Sequence, residues 1–248
     1  MVAPTSEPMS SMGPDIVTLA MIITSPLDTY SAAKLIFDTS LALFIAVQLD
    51  KNVPLKKFLR STYFAPVVVP MVASSLIWIW FYDPQVGPFN QILSLLGLPQ
   101  LKWLYSEHTA MISILIFSIW KGLGYNVVLF LSGLQNISDS YLEAARLDGA
   151  TEWQLFWKVK FPLLRPITNF VVIMCIINSF KVFREIYLLT GDYPYETLYM
   201  LQHFMNNTFR SLDYQKLSAA AVVMALVMVV LIALLFKIED WFGKDVEG

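Results

Sequence analysis

Four stretches of this chain, at residues 61–82, 109–134, 167–189 and 217–236, stay apolar over the span of about 20 residues that a helix needs to cross a bilayer's hydrocarbon core. That constrains the fold more than any motif does. A fifth stretch, at 32–48, is weaker because Lys34 and Asp38 interrupt it. These two residues are one helical turn apart. Either they pair, which lowers their cost in the membrane, or Lys34 marks a helix end and snorkels outward. Composition agrees: the chain is 56% hydrophobic and 15% charged, with a mean hydropathy of +0.59, which suits a soluble domain poorly. The expectation is an all-α polytopic membrane bundle of about five transmembrane helices.

Several function classes fall away on composition. A formal charge of -2 gives no case for nucleic-acid binding. Cys175 is the single cysteine and sits in an apolar run, so no intrachain disulfide can form. His108 and His203 are the only histidines and are far apart in sequence, so a zinc site is not expected. No catalytic Ser/His/Asp set and no paired-carboxylate site emerges, and the chain reads as a non-enzyme.

Charge bias orients the bundle, because loops rich in Lys and Arg stay cytoplasmic. Lys51, Lys56, Lys57, Arg60, Arg146, Lys158, Lys160, Arg165, Lys237 and Lys244 fall on one side, ten cations against five on the other. The connection after 109–134 and the C-terminus are therefore expected to be cytoplasmic. Residues 1–31 form an atypical N-terminal segment without Lys or Arg, in which the apolar run 16–24 is too short to span. Either a leading helix has been lost or replaced, or 16–48 forms one long interrupted segment. A signal peptide is not expected, since no basic region precedes the apolar run.

The connection at 138–162 carries the chemistry. Glu143-Ala144-Ala145-Arg146-Leu147-Asp148-Gly149 is followed after nine residues by Val159-Lys160-Phe161-Pro162. Ser140 with Glu143, and Thr151 with Gln154, have the spacing of capping boxes. Gly149 sits where a left-handed helix stop needs a residue without Cβ, and Pro162 is expected to end the second helix. Trp153, Phe156 and Trp157 place three aromatics within two turns, and Leu142 and Ala145 give a small apolar face on the first helix. The reading is a capped helix-Gly-helix knob that seats in a partner's groove. An amphipathic helix lying on lipid would also use the tryptophans, but it leaves the glycine break and the paired caps without a reason.

This loop resembles the signature of permease subunits of ATP-binding-cassette (ABC) importers: Glu-Ala-Ala, three residues, Gly, nine residues, then an Ile-x-Leu-Pro-like ending. Val159 and Phe161 stand as apolar replacements in that ending. Trp120–Asn126, Ser179–Phe183 and Leu189-Thr190-Gly191 are similar to the carbohydrate-uptake, maltose-type branch. The resemblance implies alternating access, with residues 32–240 as the transmembrane domain and 241–248 as a cytoplasmic tail. It implies Glu143, Ala144, Ala145, Gly149, Trp153, Phe156, Trp157 and Pro162 as the ATPase contact. No G-x-x-x-x-G-K-[ST] pattern occurs, so ATP and Mg would be bound by separate ATPase subunits and no cofactor by this chain. The implied partners are those ATPases, a second permease in a heterodimer, an extracytoplasmic sugar-binding protein and membrane lipid.

For a sugar path the residues of interest are polar groups and aromatics within the spans. Ser118, Gly122 and Tyr125 share a helix face by steps of four and three, with Lys121 and Asn126 beside them; Cys175 and Ser179 share a face in the fourth stretch. Family pockets fall on these parts of the two helices. Small residues at such spacing also simply permit close helix packing. Lys121 could meet a substrate hydroxyl, carboxylate or phosphate, or an acidic residue of a partner permease. The alternatives are a permease for another polar solute such as a glycerol phosphodiester or polyol, a lone carrier, or a degenerate copy. On the outer face, 90–98 reads as a short amphipathic helix. Trp78, Trp80, Phe81 and Tyr82 read as an interfacial aromatic belt, and Leu198, Leu201, Met205 and Phe209 recur at helical spacing.

Overall fold

Inside a bilayer every backbone N–H and C=O needs a partner from the chain itself, which leaves helices as the solution for these sequences. The computed structural model describes residues 27–51, 56–179 and 181–243, and these are helical with connecting turns and no strand. The expectations placed on residues 1–26 lie outside the described residues, as does the end of the C-terminal tail.

The axis of the bundle is α5 (Glu107–Gln135), a helix of 29 residues and about 43 Å at 1.5 Å per residue. Along it lies α1 (Leu27–Asp50), which takes in the weak fifth stretch without interruption. Helix α2 (Lys56–Val68) crosses α5 closely. A Cβ on Gly124 would stand 2.1 Å from the Tyr63 carbonyl oxygen, so only glycine lets the two backbones approach there. Gly133 does the same toward α8 (Arg165–Ser179), where an added Cβ would stand 2.4 Å from Ile167 Cδ1.

Two of the expected spans are broken. The stretch 61–82 divides into α2 and α3 (Met71–Phe81), bent by 106°. Pro70 is the cause: it offers no N–H, and its ring disfavours helical geometry at Val69. The stretch 167–189 divides into α8 and α9 (Phe183–Thr190), with a turn at 181–182. Hydropathy sees only the apolar content of a window and misses both breaks. Among the described residues three helices are long and apolar enough to cross a membrane, at Tyr30–Asp50, Glu107–Gln135 and Tyr214–Leu234, and up to five spans result if each bent pair is one.

The expected aromatic belt is mostly interior. Trp78 and Tyr82 are buried, with the Trp78 ring 5.2 Å from Trp120 and 5.5 Å from Phe117. The Tyr82 hydroxyl donates to the Ser113 carbonyl at 2.7 Å. Only Trp80 faces outward to a large extent. The cause is the bend at Pro70, which turns α3 back onto α5, and the cap of α4 (Pro88–Leu95) laid over it. Asn90 on α4 pins the following loop, donating to the Pro84 and Leu101 carbonyls and accepting from Trp103 Nε1.

Beyond α9, a short helix α10 (Leu201–Arg210) forms where the apolar repeat predicted one. The last helix, α11 (Tyr214–Gly243), packs on α10 and leaves Val222, Leu226 and Val229 exposed. A helix apolar all round with so little intrachain cover belongs against lipid or another membrane chain.

Candidate functional site

The knob is built from α6 (Asp139–Leu147) and α7 (Glu152–Leu163). Helix α6 ends in a Schellman motif. Ala150 N–H donates to the Ala145 carbonyl and Gly149 N–H to the Arg146 carbonyl, both at 3.0 Å, with Gly149 at φ +80°. A Cβ at Gly149 would meet nothing within 4 Å, so glycine is required there by backbone conformation and not by space. Helix α7 opens on the predicted capping box: Thr151 N–H donates to Gln154 Oε1 at 2.9 Å, and Gln154 N–H to Thr151 Oγ1 at 3.3 Å.

Two local expectations shift. Ser140 does not cap α6; the helix starts at Asp139 after Ser138, and the Ser140 hydroxyl lies 2.8 Å from that of Ser138. Asp139 in the first turn suits the positive end of the helix dipole, which favours that earlier start. Pro162 does not end α7 either. The helix widens into a π turn at Phe156–Lys160, continues to Leu163, then bends by 66° into α8. Such a turn accommodates a residue that supplies no N–H.

The knob faces outward. Glu143, Ala144, Gly149 and Pro162 are exposed, Ala145 and Phe156 half-buried. Trp153 is 72% exposed, Trp157 45% and Leu147 88%. The Trp153 and Trp157 rings meet edge-on at 5.6 Å, and Phe161 extends the aromatic row at 5.1 Å from Trp157. An apolar patch of this kind on a capped, glycine-broken element has the make-up of a contact surface. Behind it a groove of about 1200 Å³ separates α7 from the end of α1, with Phe44, Val47, Trp153 and Trp157 among its lining. An ion pair crosses it, Lys160 to Asp50 at 2.9 Å.

The proposed path residues divide into two groups. Ser118, Gly122 and Asn126 on α5 and Cys175 on α8 gather around a buried ion pair on α1, Lys34 Nζ to Asp38 Oδ2 at 2.9 Å. The thiol of Cys175 points to Asp38 Oδ2 at 3.9 Å, and Asn126 Nδ2 donates to Cys175 Sγ at 3.5 Å. Ser179 turns back on its own helix, donating to the Cys175 carbonyl. The Tyr30 and Ser118 hydroxyls are buried as neighbours, and among the described residues Asp38 Oδ1 and Glu185 Oε2 are buried without a hydrogen-bond partner. Lys34 therefore pairs and does not snorkel.

Lys121 and Tyr125 lie apart from this seam. Tyr125 is exposed. The Lys121 ammonium donates to the Pro66 and Val69 carbonyls and, at 3.4 Å, to Ser74 Oγ. It therefore caps the carbonyls that the Pro70 break leaves without helical partners. Sequence reasoning counted Lys160 only as a loop cation and passed over Asp50 and Tyr30. The i,i+4 spacing of Lys34 and Asp38 was the signal in sequence for the ion pair at the centre of the seam. Among the described residues no cluster of His, Cys, Asp and Glu is placed to hold a metal ion.

Residues 39–248 match the family model described as binding-protein-dependent transport system inner membrane component. The probable ABC transporter permease protein YurN of Bacillus subtilis is 31% identical over 210 residues, covering 83% of this chain and 72% of the relative. The trehalose/maltose transport system permease protein MalF of Thermococcus litoralis is 30% identical over 217 residues, covering 88% and 73%. The sn-glycerol-3-phosphate transport system permease protein UgpA of Agrobacterium fabrum is 30% identical over 215 residues, covering 85% and 72%. A chain of a bacterial alginate ABC transporter, solved in complex with an alginate pentasaccharide-bound periplasmic protein, superposes with a TM-score of 0.80. It is 23% identical, covering 92% of this chain and 82% of that one.

Proposed function

Since the chain belongs to the family of binding-protein-dependent transport system inner membrane components, and so is a permease subunit of an ABC importer, we propose that it forms part of the path for a sugar or oligosaccharide and takes its drive through the α6–α7 knob. The observation that carries this is the knob itself, capped at its second helix, broken at Gly149 and presenting Trp153 to the exterior. Residues 138–162 and the tail at 241–248 lie in the cytoplasm, where separate ATPase subunits bind ATP and Mg. Residues 32–240 are the transmembrane domain, paired with a second, similar permease and supplied by an extracytoplasmic binding protein. Closure of the ATPases carries the knobs together and rocks the spans between inward and outward access.

The seam around Ser118, Gly122, Asn126 and Cys175 is the part of the path this chain contributes, with Ser179 at its edge. Its hydroxyl and carboxylate groups suit a neutral, hydroxyl-rich solute. Lys121 supports the sugar over an anionic solute. An ammonium has three donors, and all three are directed to Pro66, Val69 and Ser74.

The test is purification of tagged chain from its native membrane in mild detergent, with mass spectrometry of what accompanies it and sugar-stimulated ATPase activity of the product. Recovery of an ATPase, a second permease and a binder whose sugar accelerates hydrolysis is the expected result. Gly149→Asp, which disfavours the left-handed stop, is expected to abolish the stimulation. A chain that purifies alone, or an unaltered rate in Gly149→Asp, contradicts the reading.

A further inference from the structure

The knob is joined covalently to the membrane bundle at both ends: α5 runs into α6 through residues 136–138, and α7 into α8 through the 66° bend beside buried Leu164. A further connection crosses the groove. Lys160, the last residue of the π turn, reaches Asp50, the last residue of α1, at 2.9 Å, and each side chain is only about one-fifth exposed. The two residues are 110 positions apart in sequence. Lys160 occupies the position between Val159 and Phe161 that the loop motif leaves unspecified.

The connections converge. Asp50 and Asp38 share one unbroken helix, and their separation along it is about 18 Å at 1.5 Å per residue. Helix α8 carries Cys175, whose thiol meets Asp38 at 3.9 Å. Knob, α8, Cys175, Asp38, α1, Asp50 and Lys160 thus form a closed circuit, with an ion pair at the aqueous end and a thiol–carboxylate contact in the membrane. A push on α7 that moved α8 alone would shear that contact. The strut moves α1 with it.

We infer that the Asp50–Lys160 pair is a positioning strut that couples the knob to α1 and hence to the polar seam; this rests on the reading of the knob as the ATPase contact. Its energetic content is specific. A pair held largely out of water is lost with more effect than an exposed one, such as Arg146 with Glu152, which bridges the Gly149 break at 3.3 Å with both side chains more than half exposed.

Cys175 supplies a readout that needs no transported solute. The full complex, with its ATPases, is treated with N-ethylmaleimide with and without ATP plus vanadate, and alkylation of the Cys175 peptide is followed by mass spectrometry. The wild-type rate is expected to change with nucleotide. In Lys160→Gln and in Asp50→Asn that nucleotide-dependent change is expected to shrink by about fivefold or more, while ATP hydrolysis continues. The double variant is expected to lose no more than the larger single loss, because both substitutions break the Lys160–Asp50 pair. Lys160→Arg is expected to keep the response. Should Lys160→Gln fail to assemble, Asp50→Asn carries the same test. A full nucleotide response in the assembled single variants, or additive losses in the double, overturns the strut alone. A wild-type complex whose Cys175 ignores nucleotide overturns the coupling reading beneath it.

Discussion

The knob and the seam are opposites in how they are held. The knob is small, exposed and organised by contacts between residues a few positions apart: Gly149 with Arg146, Ala150 with Ala145, Thr151 with Gln154. The seam is buried and organised by contacts between helices: Asp38 with Cys175 and Asn126 with Cys175. The difference separates stability from coupling. Damage to the seam should unfold the bundle, whereas damage to the knob should leave a folded chain that no longer responds to its ATPases.

The largest stability effect is expected at Asp38. Asp38→Ala leaves the Lys34 ammonium buried and unpaired, at a cost of about 3–5 kcal/mol. Thermal unfolding in detergent should show it. The double variant Lys34→Met/Asp38→Leu should recover most of the loss, since the charge and its partner leave together. A double variant as unstable as Asp38→Ala would mean that the seam is held by something other than charge. Next is Gly124→Ala, where the new methyl meets the Tyr63 carbonyl oxygen and α2 must shift, costing about 2 kcal/mol. The same assay measures it.

A probe that reaches neither region is pH. His203 on α10, outside the spans, is buried between the Phe183 and Tyr199 rings, and its Nδ1 accepts from Met200 N–H. Burial holds it at about 4 against the ordinary 6.5, although Asp192 pulls the other way. The unfolded chain therefore binds this proton first. The stabilisation is fully present above 6.5 and is lost as pH falls toward 4, on the order of 3 kcal/mol in all. Unfolding midpoints across that window should fall in the wild type and stay flatter in His203→Phe.

The smallest stability effects belong to the knob. Gly149→Ala puts a side chain into the left-handed region, and Thr151→Ala removes the capping box; each costs about 1 kcal/mol and confined to the loop. Both should leave the unfolding midpoint of the bundle within error while slowing sugar-stimulated ATP hydrolysis. A knob variant that destabilises as much as Asp38→Ala would erase the contrast.

What could be read from sequence follows the same division. Gly149 and the Thr151–Gln154 box were legible because a helix stop and a cap are decided within a few residues. The cap at Ser138 rather than Ser140, two positions earlier, was not legible, because both serines can serve and Asp139 between them favours the earlier start. The breaks in 61–82 and 167–189 were missed because apolar content does not register backbone geometry, even though Pro66 and Pro70 stood in plain view. Trp78 and Tyr82 were assigned to the interface by their position near a span end, but their burial depends on α4 and α5. The polar seam was partly legible, since helical spacing grouped Ser118 with Gly122 and Cys175 with Ser179. It could not show which helix faces them. Asp50 and Lys160 carried no sequence signal, because nothing local joins residues so far apart.

The most direct test of the central claim is site-specific cross-linking from the knob. With Cys175→Ser as background, Trp153→Cys is placed in the complex and treated with a short bifunctional maleimide. The account predicts a covalent adduct with the ATPase subunit, in a yield that changes when ATP is trapped with vanadate. An intact, sugar-responsive complex in which position 153 never joins the ATPase would contradict it.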